Sequence, residues 1–307
     1  MTVLLVGSLA YDAVSSPAGS VDQALGGSAT YGGLACQFHL HRLNRAQASI
    51  VGVVGTDFTD EDRALLSGAG LDLSGLETAE GHTFRWEGSY QGSMAEAETL
   101  ATHLNVFEHF SPKVPSNLLE PAVLFCANLH PALQHSVMEQ TSPTRLTMLD
   151  SMNLWISIAR DPLMGVMEMA DLVIINDGEA RMLSGNDNLV EAMHHLAKIT
   201  QTQTLVVKRG EHGVLALHEG AFIALPAYPT ARLVDPTGCG DTFAGTLAAH
   251  LAQHQGPIST DELRQGLMMA NVTASFTLES FGTEALRNLD PAAFEERFMA
   301  YRSMLGL

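Results

Sequence analysis

The stretch Asp235–Gly245 reads D-P-T-G-C-G-D-T-F-A-G, and the rest of the chain is best understood from it. Asp235-Pro236 signals a turn, because proline fixes its own φ and biases the residue before it away from helix. Gly238 and Gly240 carry no Cβ, so the backbone can bend tightly there and come close to a ligand. From Asp241 the chain continues T-F-A-G-T-L-A-A-H-L-A, rich in Ala and Leu with apolar residues at helical spacing. A glycine turn therefore opens a helix with an acid in its first turn. Free N–H groups and the positive end of the helix dipole make such a place receptive to an anion such as a phosphate. Two readings fit these residues. Either the acid takes a proton from a nucleophile, or it merely suits a first helical turn beside an ordinary tight turn. A Walker loop is excluded, since the chain has no G-x-x-x-x-G-K-[ST]. A dinucleotide-binding turn does not fit either, because only Gly7 follows the N-terminal apolar run Val3–Val6.

At 307 residues the chain is long enough to bury a large core. No Pro/Ser-rich linker, internal repeat or low-complexity block divides it, so one domain spanning 1–307 is expected. The net charge of −18 argues against general nucleic-acid binding and against anionic membrane surfaces, both of which need basic patches. An acidic protein that bound a nucleotide would have to create local positive potential from helix ends, a metal ion and a few lysines. Cys36, Cys126 and Cys239 are scattered without C-x-x-C spacing, which suggests a reducing compartment and no zinc site. The N-terminus has no basic segment and its apolar run is too short for a signal peptide. No stretch approaches the length of a membrane span, so a cytoplasmic protein is expected.

In order, Val3–Val6 reads as a strand buried on both faces, leading to Gly7, Ser8 and Asp12. Gly26-Gly27 precedes a helix through Leu34, Phe38 and Leu40. The strand Ala48–Val54 and a helix from about Thr59 to Ser67 follow, an alternation that favours a parallel α/β sheet. The middle differs. Thr83–Tyr90 and His103–Phe110 read as strands with mixed faces, separated by the polar segment Gln91–Thr102, and form a small β excursion at about 83–110. Such an excursion serves as a lid over a ligand or as an oligomerisation surface. Alternation then resumes: strands Ala122–Ala127, Leu146–Leu149, Leu172–Ile175 and Thr204–Val207 alternate with helices Pro131–Gln140, Ile156–Ala170, Glu179–Leu183 and Leu189–Ile199. An edge hairpin, Val214–Leu217 with Phe222–Leu225, precedes the helices Asp241–His254, Thr260–Thr277 and Pro291–Met304. The strand ends deliver Asp12, Asn128, Asp150, Asn176 and Lys208, and ligands of open α/β sheets collect at the carboxyl ends of strands.

These motifs together resemble the ribokinase-like, or PfkB, carbohydrate kinases. D-P-T-G-C-G-D-T-F-A-G is similar to their C-terminal signature, and V-L-L-V-G-S-L-A-Y-D to their first strand and substrate-binding acid. G-G-S-A-T-Y resembles the double-glycine hinge, V-V-G-T-D-F the next strand end, N-D-G-E the N-x-x-E motif, and V-V-K-R-G-E-H-G the nucleotide-binding strand and turn. The resemblance covers most of the chain. It implies a three-layer α/β fold, an open and mainly parallel sheet flanked by helices, with a small β lid. It also implies an ATP-dependent, Mg²⁺-requiring kinase that phosphorylates a hydroxyl of a sugar; a nucleoside kinase is the nearest alternative, and a ligand-binding regulator without catalysis a more distant one.

By the same resemblance Asp241 is the general base, and Gly238, Cys239 and Gly240 form the anion hole with it. Asp12, Gly26, Gly27 and Tyr31 bind the substrate. Asn176, Glu179, Lys208, Gly210 and Asn271 serve ATP, with Asn176 and Glu179 holding Mg²⁺ through water. Asn271 is otherwise an exposed helical residue, and Glu179 otherwise a first-turn acid. Asp235 and the backbone of Thr237 fit a monovalent cation such as K⁺. The chain departs from the family pattern at Tyr31, where sugar kinases carry Asn, and an aromatic there either stacks on a base or sugar or simply packs. Thr59 and Cys239 replace the commoner Gly and Ala. Arg85, Trp86 and Asn105 are candidate lid contacts, and the lid strands offer a route to a homodimer. The expected partners are thus a small sugar or nucleoside, with no nucleic acid and no membrane.

Overall fold

Four successive apolar side chains, Val3–Val6, make a strand only if both of its faces are covered. Val3 and Leu5 enter one apolar core and Leu4 and Val6 another, all fully buried. The computed structural model, which describes residues 2–42, 47–95 and 97–307, builds the molecule around this strand. The chain runs β1 (Thr2–Val6), β2 (Ala10–Ser16), β3 (Gly19–Gly26), α1 (Ser28–Arg42), β4 (Gln47–Gly55), α2 (Asp60–Gly68), β5 (Asp72–Ala79), β6 (Phe84–Tyr90) and β7 (Ala97–His103). It continues through β8 (Val123–Cys126), α3 (Pro131–Gln140), β9 (Leu146–Asp150), α4 (Asn153–Ile158), α5 (Arg160–Met169), β10 (Leu172–Asn176), α6 (Asp177–Ser184) and α7 (Leu189–Thr200). Last come β11 (Thr204–Lys208), β12 (Val214–His218), β13 (Ala221–Leu225), α8 (Cys239–Leu251), α9 (Thr260–Thr277), α10 (Glu284–Arg287) and α11 (Pro291–Met304).

The large sheet has nine strands in the order β13-β12-β11-β10-β9-β8-β1-β4-β5. Pairing is parallel from β11 to β5, and β12 and β13 close one edge as an antiparallel hairpin. Helices α1, α8, α9 and α11 cover one face, while α3, α5, α6 and α7 cover the other, giving three layers. No helix among the described residues is long and apolar enough to cross a membrane.

The small sheet differs from its expected form. It has four strands, β3-β2-β6-β7, and is assembled from two separate hairpins whose inner strands, β2 and β6, pair in parallel. The excursion therefore includes Ala10–Gly26 as well as the 84–103 region. His103–Phe110 is not a strand: Asn105–His109 is a 3₁₀ turn that buries Val106 and Phe110, spaced for a helical turn rather than for alternation. The strand instead lies at Ala97–His103, within and just beyond the polar segment, with most of its side chains exposed. The expected helix Ile156–Ala170 is broken at Ala159. Pro162 explains the break, because in a continuous helix its ring would meet the carbonyl of Ile158.

Two helices set the site. α1 and α8 cross with their backbones touching: a Cβ on Gly245 would collide with the Gly32 carbonyl. Their N-termini, just after Gly27 and Gly238, therefore open side by side at the carboxyl end of β1. A Gly245→Ala substitution forces these backbones apart and is expected to cost about 1–3 kcal/mol, as overpacking does. Urea unfolding measures it, and an unchanged midpoint would show that the two helices are not in contact.

Candidate active site

α8 begins at Gly238, which adopts φ 75° and ψ 0°, a left-handed conformation that glycine takes without strain. Nothing else could stand there, because the ring of Tyr31 packs flat on the Gly238 Cα where a Cβ would project. No side chain among the described residues caps this helix. The Cys239 N–H donates to the Pro236 carbonyl at 3.2 Å, whereas the Gly240 N–H has no partner among the described residues. An open, positively polarised helix end is thus presented at Gly240. The Lys208 amine adds charge at the same spot, 2.9 Å from where a Gly240 Cβ would lie.

Lys208 ends β11 and pairs with Asp150, at the end of β9, at 2.8 Å. Burial works against the lysine's charge, but Asp150 and Glu179 outweigh it and hold its pKa above the usual value. Asp150 also accepts the Ser151 N–H at 2.8 Å, and Gln134 ties the Asp150 carbonyl to that of Ala127 at 2.9 Å each. The sequence marked Asp150 as a strand end without giving it a role; the register of β9, β10 and β11 supplies one. Asp241 lies in the first turn of α8, and burial, reinforced by Asp150 and opposed by Lys208, pushes its carboxyl up to about 7.

Asp12 sits on β2, only 4% exposed, with its carboxylate over Gly26 and accepting the Gly27 N–H. Gly27 itself has φ 94°, and a Cβ there would strike the Ser8 carbonyl. Burial pushes Asp12 up to about 8, with Asp235 and then Asp241 adding repulsion, so the three acids share one cleft. Tyr31 is 1% exposed and its hydroxyl has no partner among the described residues. In this structure the ring packs against Gly238.

Glu179 and Asn176 form a complete capping box on α6: the Asn176 N–H and side-chain amide donate to the two Glu179 oxygens at 2.7 Å, and Asn176 Oδ1 accepts the Glu179 N–H at 2.8 Å. Glu179 is nevertheless buried beside Lys208 and Asp150, and its carboxyl is pushed up to about 7 by burial. A carboxylate has about four lone-pair sites, so the cap leaves it able to accept from metal-bound water. Among the described residues no group of three or more His, Cys, Asp or Glu is placed to hold a metal ion.

Asp235 is wholly buried; its oxygens accept the Thr237 N–H at 2.8 Å and the Gly282 N–H at 3.3 Å, and burial raises its pKa. No Lys or Arg pairs with it among the described residues. Gly210 opens the turn after β11 with φ 53°. Asn271 is not an exposed helical residue: it is buried and donates to the Tyr301 hydroxyl at 3.1 Å, which in turn donates to the Pro226 carbonyl. Asn128 is drawn away from the cleft, accepting the Trp155 indole N–H at 2.8 Å. Of the lid candidates, Arg85 pairs with Asp57 at 3.2 Å and Asn105 donates to the Thr83 carbonyl at 2.9 Å. Asp57 also accepts both the N–H and the hydroxyl of Thr83 at 2.7 Å, fixing the start of β6 in a way the sequence alone did not disclose.

The fold is an open α/β sheet, mainly parallel, with Asp150, Asn176 and Lys208 at the carboxyl ends of its strands. A family model of pfkB family carbohydrate kinases matches residues 2–289, and the chain belongs to that family. Its members are phosphotransferases acting on hydroxyl groups. The chain is 28% identical to a cytidine kinase of Thermococcus kodakarensis over 259 residues, 81% of this chain and 88% of that one. A Burkholderia thailandensis nucleoside kinase in complex with inosine superposes with a TM-score of 0.77 at 19% identity, covering 98% of this chain and 99% of that one. A Vibrio cholerae fructokinase double mutant, bound to fructose, ADP and potassium ion, gives 0.76 at 17% identity over 97% and 98%.

The raised carboxyls make stability depend on pH. Asp12, Asp241 and Glu179 all have folded pKa values above their unfolded ones. Their contribution is complete below about pH 4 and is lost as pH rises through 7 and 8. The ligand-free protein is therefore expected to melt at a lower temperature at pH 8.5 than at pH 5.5. Asp241→Asn should raise the midpoint at pH 8 by roughly 2 °C or more. Thermal scans without ligand check both, and a midpoint unchanged by the substitution at pH 8 would count against the raised carboxyl.

Proposed function

We propose that the protein is an ATP-dependent kinase that transfers the γ-phosphoryl group to a hydroxyl of a nucleoside. The observation that carries the reaction is the gathering of Asp12, Asp235 and Asp241 beside the open start of α8. Asp241, poised near neutrality, takes the proton of the acceptor hydroxyl while that oxygen bonds to the γ-phosphorus and the bond to the ADP oxygen breaks. The Gly240 N–H and the Lys208 amine stabilise the charge on the group in transfer, with Gly238 and Cys239 shaping the turn that presents them. Asp12, part protonated at neutral pH, can both donate to and accept from acceptor hydroxyls, next to Gly26, Gly27 and the buried Tyr31.

Asn176, Glu179, Lys208, Gly210 and Asn271 line the ATP side in this scheme. Mg²⁺, held through water by Glu179 and Asn176, would supply positive charge to the phosphates. Asp235, a buried acid with no Lys or Arg partner among the described residues, together with Thr237 fits a K⁺ ion, in line with the potassium bound by the fructokinase neighbour. The small sheet serves as the lid, and the exposed outer edge of β7 fits pairing with a second copy of the chain.

A nucleoside is favoured as acceptor by the cytidine kinase relative, which matches most of the chain, and by the inosine-bound neighbour. A free sugar is the second reading, favoured by the fructose-bound neighbour. ADP release measured with ATP, Mg²⁺ and a panel of cytidine, inosine, adenosine, ribose and fructose separates them, the nucleosides being expected to give the highest kcat/KM. Asp241→Asn should lower kcat about 10²–10⁴-fold with the preferred acceptor, the usual contribution of a general base. Near-normal turnover by that variant would rule the mechanism out. The acid limb of kcat/KM should fall near pH 7 and move to lower pH in Asp150→Asn, which removes repulsion from Asp241 and releases the Lys208 charge.

A further inference from the structure

The small sheet and the turn that opens α8 meet through Tyr90. This residue ends β6, is 8% exposed, and its hydroxyl accepts from Thr237 Oγ1 at 3.2 Å. Thr237 directly precedes Gly238 and donates its own N–H to Asp235. Alongside, Val14 of β2 and Met94 pack with Tyr90 against Phe281. Phe281 directly precedes Gly282, whose N–H donates to the other Asp235 oxygen. The small sheet thus grips both backbone segments that converge on the buried carboxylate, one through a hydroxyl and the other through apolar contact. Neither contact is needed to close the large sheet, and Tyr90 and Thr237 lie 147 residues apart in sequence.

We propose that Tyr90 is a positioning residue that ties the presentation of Gly238 and Gly240 to closure of the small sheet over the acceptor. With the sheet down, Tyr90 fixes the Thr237 side chain, and through Thr237 and Asp235 it fixes the left-handed turn at Gly238. With the sheet raised, Thr237 loses its acceptor, Phe281 loses its apolar neighbours, and the turn relaxes. Misplacement of about 1 Å in a catalytic constellation can cost about 10²-fold in rate, so such a link is sufficient to make phosphoryl transfer depend on a bound acceptor. It also disfavours transfer to water when no acceptor is present. This inference rests on the phosphotransfer reading for its consequence, but not for the contact itself.

Tyr90→Phe keeps the ring in its apolar cluster and removes only the hydroxyl. Relative to wild type it is expected to lower kcat for the preferred acceptor about tenfold, leave KM for ATP unchanged, and leave the melting midpoint within about 1 °C. Thr237→Val should cause a similar loss, and the double variant no further one, as two partners of one interaction do. Losses that multiply, or a Tyr90→Phe enzyme with wild-type kcat, would overturn the proposal. Hydrogen exchange without any ligand separates it from the catalytic reading. Amides of residues 238–241 should exchange several-fold faster in Tyr90→Phe while those of β1 do not change. Equal exchange in both proteins overturns the link even if the enzyme is active. Faster exchange in a protein that phosphorylates no acceptor supports the link and rejects the phosphotransfer reading instead.

Discussion

Everything in the cleft depends on the uncapped start of α8 at Gly238. A helix N-terminus left open inside a protein carries unsatisfied donors that must find a partner, and here the left-handed Gly238 aims the Gly240 N–H into the cleft rather than into the core. The turn is held on three sides. Tyr31 packs beneath it, Asp235 anchors the residues before it, and the backbone contact of α8 with α1 at Gly245 and Gly32 fixes its distance from the start of α1. Their common effect is preorganisation, which is what a reaction governed by positioning and electrostatics requires.

The second constraint is charge. A protein with a net charge of −18 gathers Asp12, Asp150, Glu179, Asp235 and Asp241 around one cleft and sets a single lysine among them. Burial and mutual repulsion push several of these carboxyls toward neutrality, which costs stability and gives an acid that can act as a base at physiological pH. Lys208 is divided between Asp150 and the Gly240 corner, so the pair both moderates Asp241 and brings positive potential to the start of α8. A cation bound among these acids would relieve that repulsion.

Much of this was legible in the sequence because local chemistry and global role agree. Pro131–Gln140, Thr260–Thr277 and Pro291–Met304 begin and end where expected, marked by proline at a first turn and by the Ser259 and Asp290 caps. The buried strands were legible for the same reason, since continuous apolar runs admit few alternatives. The small sheet was not. β7 is polar on both faces and β3 nearly so, and a strand without a one-sided apolar pattern resembles a loop. The partners of Asp150, Tyr31 and Tyr90 were invisible because they arise from sheet register and helix crossing, not from spacing along the chain. The Ala159 break was within reach, had Pro162 been given its full steric weight.

The account stands or falls on where the transferring group sits. A crystal structure with cytidine, ADP, Mg²⁺ and aluminium fluoride, a planar mimic of the phosphoryl group in transfer, tests this directly. The account predicts a fluoride within about 3 Å of the Gly240 N–H and an acceptor hydroxyl at a similar distance from the Asp241 carboxylate. An aluminium fluoride bound away from the start of α8, or an acceptor hydroxyl out of reach of Asp241, would contradict it.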